Sequence, residues 1–229
     1  MNKVNGFFDK LFKIIPGYIF GLIAFIMGFL GDILALMTTP EYRMWEYSIS
    51  VLGDLRGGIF LRTGLIISGL MAIPFFIYFG RALKDKNIKD FLRKTAVGIG
   101  IFSSICVSLT GAFSGVNDFI KFMHGNFALF SWVGNTVVFI LFSYLMSKNS
   151  KFSKYLIKLG YVIGGILIVY LIPFFITNFC NYFRSICYNL GQMIYLILPV
   201  FEWIVFFSIL FWILYNSIYL FYKRDLFLQ

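Results

Sequence analysis

Polar residues along this chain fall in clusters, and between the clusters apolar residues run almost unbroken for about twenty positions or more. Six such runs cover residues 14–37, 61–83, 95–114, 126–146, 157–179 and 193–222. A helix needs about 20 apolar residues to cross about 30 Å of hydrocarbon. Backbone groups in lipid must pair within their own segment, and these runs are too long and too uniformly apolar for barrel strands. The pattern therefore predicts an all-α protein: one membrane domain over residues 1–229, built as a bundle of six transmembrane helices. The first run is flanked by lysines but is longer than a signal core and lacks a small-residue cleavage site after it, so it reads as a span. The last is long enough to tilt.

Composition agrees with this reading. Of 229 residues, 60% are hydrophobic and 13% charged, where soluble domains run nearer half and a quarter. Disorder, a secreted disulfide scaffold and a cytosolic nucleic-acid binder are excluded, and the expected partners are membrane lipids. The net charge of +10 then has to be located before it means anything. Fifteen of the basic residues lie before run one, between runs two and three, between four and five, and after six. Five, namely Arg43, Arg56, Arg62, Lys121 and Arg184, lie on the other side. The bias predicts a multi-pass protein of the cell membrane with both termini cytoplasmic, and the excess charge is read as topology and attraction to anionic headgroups.

The connectors expected on the outer face are the informative ones. Residues 38–60 form the longest, with Trp45, Ile49 and Leu52 at helical spacing, which predicts a short amphipathic helix broken by Gly53, Gly57 and Gly58. Residues 115–125 hold Asp118, Lys121 and the single histidine, His124. Residues 180–192 hold Cys180 and Cys187, for which a disulfide and two free thiols are both open readings. Three cysteines and one histidine show no metal-ligand spacing, so neither a metal nor another cofactor is expected. At the N-terminus, residues 4–15 set Phe7, Phe8, Leu11 and Phe12 against Asp9, Lys10 and Lys13. This segment reads either as an interfacial amphipathic helix or as an early start of span one.

Ionisable residues inside spans are functional hypotheses by default, and two stand out. Asp32 lies about 7–8 Å below the outer end of span one, and Glu202 about 13–14 Å below that of span six. With His124 and Arg62 at outer helix ends, these residues define a candidate polar pocket opening outward, lidded by Trp45. Three readings follow. In a structural one, the carboxylates pair with Arg62 or Arg184, or bond Asn135. In an enzymatic one, Asp32, His124, Glu202 and Asp118 are catalytic candidates acting on a lipid headgroup. In a transport one, Asp32 and Glu202 carry a proton or cation. The favoured reading is lipid handling or sensing, with Asp32, Glu202, His124, Trp45 and Arg62 binding the ligand. The sequence leaves the oligomeric state open. Gly100, Ser104, Ser108 and Gly111, and the pairs Gly17/Gly21 and Gly160/Gly164, predict close helix contacts.

A resemblance adds to this picture. Ser48-Ile-Ser-Val-Leu-Gly53, Gly58-Ile-Phe60, Gly64-Leu-Ile-Ile-Ser-Gly69 and Thr110-Gly-Ala-Phe113, followed by His124 and Ala128, together resemble the signature of domain-of-unknown-function family 998. These are prokaryotic, notably archaeal, integral membrane proteins. The chain departs from that pattern at Leu61, where the family often has Asn, and at Gln192-Met193, where it often has Gln-Arg. The resemblance implies a six-helix bundle without an established activity. More distantly the chain is similar to the six-helix membrane proteins of GPI-anchor remodelling and autophagy modulation, a fold-level analogy that carries no reaction.

Overall fold

The structure, a computed structural model, describes residues 2–115, 117–182 and 184–227. It is helical, with no strand among the described residues. The elements are α1 (Asn2–Ile14), α2 (Gly17–Met37), α3 (Ile49–Asp54), α4 (Gly58–Ala82), α5 (Asp90–Ala112), α6 (Asp118–Ser147), α7 (Lys154–Tyr182), α8 (Arg184–Tyr195), α9 (Leu198–Tyr222) and α10 (Arg224–Phe227). Six of them, α2, α4, α5, α6, α7 and α9, are long and apolar enough to cross a membrane. The chain is a multi-pass integral membrane protein.

Boundaries shift where local chemistry outweighs hydropathy. The sixth span begins at Leu198 rather than near residue 193, because Pro199 sits in the first turn of α9, where its missing N–H costs nothing. Pro199 therefore starts a helix instead of kinking one. Glu202 consequently lies about 6 Å inside the helix, shallower than hydropathy implied. The fourth span begins at Asp118, capped by the Asn117 side chain, which accepts from Phe119 N–H at 2.8 Å. His124 is thus part of a helix and not of a loop.

The amphipathic N-terminal segment is a separate helix, because Pro16 divides α1 from α2. It folds back on the bundle, with Phe12 against Tyr78 at 5.3 Å and Asp9 paired with Arg81 at 2.7 Å. Tyr18 meets Phe221 at 5.5 Å, so both chain ends lie at one end of the bundle, here the terminal end. The opposite end carries α3. Small residues let the spans approach. A Cβ on Gly31 of α2 would lie 2.8 Å from the Phe60 carbonyl oxygen and 2.9 Å from Gly64 Cα of α4. The small-residue row of α5 faces α4, where Ser108 donates to the Ile66 carbonyl at 3.0 Å.

The core is aromatic and lies towards the terminal end. Phe75, Phe76 and Phe79 of α4, Phe139 and Phe142 of α6 and Trp212 of α9 are all fully buried. Trp212 lies 4.5 Å from Phe139 and 5.7 Å from Phe79, close enough for edge and offset packing. Together these rings seal the centre of the bundle.

Candidate functional site

The α3 end is held by bonds that hydropathy does not register. Helix α3 is shorter than expected: Ile49 and Leu52 are buried within it, whereas Trp45 lies in the preceding turn and is 63% exposed. Gly53 belongs to α3 and Gly58 opens α4, so the break between them falls at residues 55–57. The first turn of α3 has no side-chain cap of its own. Its Ile49 N–H instead donates to Glu202 Oε2 at 3.0 Å, a bond joining residues 153 positions apart. Trp203, next to Glu202, donates its indole N–H to the Tyr42 hydroxyl at 3.1 Å. The Tyr42 hydroxyl in turn donates towards the carbonyls of Tyr47 at 2.6 Å and Ser48 at 2.9 Å. On the far side Ser114, beyond α5, donates to the Gly53 carbonyl and to Asp54. Helix α3 is thereby fastened across the top of the bundle.

Beneath it runs a narrow cavity of about 90 Å³. Ile49, Ser50 and Gly53 of α3 form its roof, and Arg62, His124 and Glu202 bring charge and a titratable ring to the same end. Deeper in, Leu65, Ala72, Trp132, Phe206 and Leu210 make an apolar bore, with Ser68, Ser104, Ser131 and Asn135 the polar exceptions. Along α6 the lining runs from His124 to Asn135, and along α9 from Glu202 to Ile213. Eleven helical steps of about 1.5 Å give a length of about 16 Å. Phe76 lines the inner end, where the aromatic core begins. A second cavity of about 290 Å³ shares Ser50, Ser114 and His124 with the first and adds Asp54 and Lys121.

Each candidate residue has a definite place. Arg62 donates from Nε to the Gly58 carbonyl at 3.3 Å, and its two terminal nitrogens have no protein acceptor among the described residues. His124 Nδ1 lies 2.9 Å from the Thr110 carbonyl. A carbonyl only accepts, so Nδ1 carries the hydrogen there, and a neutral ring keeps its lone pair on Nε2. No carboxylate bonds the ring among the described residues. Glu202 is buried and uses one oxygen on Ile49.

Asp32 is fully buried, does not line the cavity, and has no hydrogen-bond partner on either oxygen among the described residues. It shares a face of α2 with Gly28, which abuts Ser68 and Leu210, and with Ala35. Neither Arg62 nor Asn135 bonds it; Asn135 donates to the Ser131 carbonyl at 2.9 Å. The Arg184 side chain lies outside the described residues. Trp45 and Asp118 do not line the main cavity. Cys180 and Cys187 are joined by a disulfide, with their Cα atoms 5.1 Å apart.

The structure thus brings Arg62, His124 and Glu202 to one cavity and sets Asp32, Trp45 and Asp118 apart from it. Sequence reading singled out neither Tyr42 nor Ser114, and marked Ser50 and Thr110 only as parts of the motifs that carry the family resemblance. For Ser114 the one advance signal was a small polar residue beside a glycine at a helix end; Tyr42, between Glu41 and Arg43, had none. Comparison with protein-family models, curated proteins and solved structures finds no match, so the resemblance to family 998 rests on the residues quoted for it.

Proposed function

We propose that this protein binds a membrane lipid or related amphiphile in the cavity beneath α3, as a lipid-handling or lipid-sensing protein. One observation carries the reading: a single dead-end cavity combines a charged mouth with an apolar bore. Such a space complements a molecule that is polar at one end and apolar at the other. The cavity, about 16 Å from its charged mouth to its inner end, has room along its length for a single alkyl chain. The inner end abuts the aromatic core, which speaks against a continuous path for transport. His124 meets a backbone carbonyl rather than a carboxylate among the described residues, so this reading gives it a binding role.

The α3 end faces the outside in this proposal, and both termini face the cytoplasm. The excess of basic residues at the terminal end supports that orientation, and so does the Cys180–Cys187 disulfide at the other, since disulfides persist in oxidising surroundings. The amphiphile then comes from the outer leaflet.

The test is native mass spectrometry of the purified protein. Wild type is expected to carry bound lipid. Ala128 lines the same cavity, one helical turn below His124, and Ala128→Phe, which fills the space there, is expected to lose the lipid while remaining folded and monodisperse. Asp32→Asn, outside the lining, is expected to keep it. Retention of the same lipid by a folded Ala128→Phe variant overturns the proposal.

A further inference from the structure

Two opposite charges line the same end of this cavity and do not pair with each other. Among the described residues no ion pair joins Arg62 to Glu202. Each is pinned by a backbone group instead: Arg62 Nε to the Gly58 carbonyl, Glu202 Oε2 to the Ile49 N–H. Arg62 keeps its terminal nitrogens and their four N–H groups for something else. Glu202 keeps Oε1, which has no protein partner among the described residues and, unlike both Asp32 oxygens, is not sealed from open space. A half-buried guanidinium fork and a carboxylate oxygen thus keep unused bonding capacity in one cavity, where a ligand can take it up.

We propose that the mouth recognises a zwitterionic headgroup, with a phosphate on the Arg62 fork and a primary ammonium on Glu202 Oε1, carried by an amphiphile with a single alkyl chain. This rests on the lipid-binding reading above and names its ligand class. The fork geometry of arginine matches two phosphate oxygens at once. Arg62 also stands in the first turns of α4, a 25-residue helix whose start lacks a side-chain cap, so the positive end of the helix dipole adds to the attraction. An ammonium offers three N–H donors. Glu202 Oε1 takes one, and His124 Nε2, whose lone pair is left open by the Nδ1 bond to Thr110, is a second acceptor at the same mouth. A headgroup with phosphate alone answers Arg62 but leaves Glu202 facing an anion. A headgroup with ammonium alone does the reverse. Only a headgroup with both signs answers both residues.

The experiment uses the full-length protein in detergent and three probes of equal chain length: lysophosphatidylethanolamine, lysophosphatidic acid and a primary alkylamine. Wild type is expected to bind lysophosphatidylethanolamine at least tenfold more tightly than either other probe. Arg62→Gln is expected to weaken both phosphate probes at least tenfold and to leave the alkylamine unchanged. Glu202→Gln keeps an acceptor for Ile49 and is expected to bring lysophosphatidylethanolamine down towards lysophosphatidic acid. Wild-type binding of lysophosphatidic acid as tight as or tighter than the ethanolamine probe overturns the proposal, and that comparison needs no variant. Equal binding of all three probes, blocked by Ala128→Phe, also overturns it and leaves the lipid-binding reading standing. Failure of every probe to bind overturns both.

Discussion

Tyr42 shows how one side chain organises the site from outside the spans. Its hydroxyl accepts from Trp203 and faces two carbonyl oxygens, at 2.6 and 2.9 Å. Burial raises the phenol above its ordinary value of 10.0, and the nearby Glu202 adds to the rise. The sign follows. The folded state holds the proton more tightly than the unfolded chain, so this stabilisation is complete below about pH 10 and drains away as pH rises beyond it. Tyr42→Phe loses the hydrogen bonds, worth about 1 kcal/mol each, but cannot ionise. Thermal unfolding is therefore expected to show wild type above Tyr42→Phe at pH 8, with the gap narrowing past pH 10. A constant gap up to pH 11 would remove Tyr42 as the source. Glu202 illustrates what a sequence hides at this scale. Its presence in an apolar run marked it at once, yet its partner is a backbone N–H that every non-proline residue possesses. No side-chain pattern could have chosen Ile49 over the alternatives.

At the scale of elements, the six spans were legible because hydrocarbon imposes one demand on every residue that crosses it. Hydropathy along the chain is a direct record of that demand. The starts of α6 and α9 were not legible in the same way, because Asn117 and Pro199 set them by capping and by a missing N–H. The glycines sort themselves only in three dimensions. Gly31 and Gly64 face each other where α2 crosses α4, and a Cβ on Gly31 would meet backbone atoms that cannot turn aside. Gly165, in the middle of α7, has nothing within 4 Å of its Cβ position. Gly31→Ala is expected to force the two helices apart and to cost about 1–3 kcal/mol, as overpacking generally does. Gly165→Ala is expected to be neutral or to stabilise by up to about 1 kcal/mol through its gain in helix propensity. Thermal unfolding of the two variants side by side checks this. Equal behaviour would mean that the α2–α4 crossing does not limit the fold.

For the molecule as a whole, the two ends of the bundle differ in kind. One end has the chain termini, the α1 latch on Arg81 and most of the basic residues. The other has α3, the cavity mouth and the disulfide. A ligand drawn from the outer leaflet requires that second end to face outward, and single-cysteine labelling tests the requirement directly. The native cysteines are silent in such an assay, since Cys106 is buried and Cys180 and Cys187 are bonded to each other. Lys121 is exposed in the first turns of α6, beside the mouth, and Lys86 is exposed in the turn between α4 and α5 at the terminal end. A membrane-impermeant maleimide added to intact cells is expected to label Lys121→Cys and to reach Lys86→Cys only after permeabilisation. The opposite pattern would turn the mouth towards the cytoplasm. The disulfide would then sit in a reducing compartment, and the excess of basic residues on the outer face would run against the bias that orients short loops. A reversed result therefore has to explain two independent features at once, whereas the expected one follows from both.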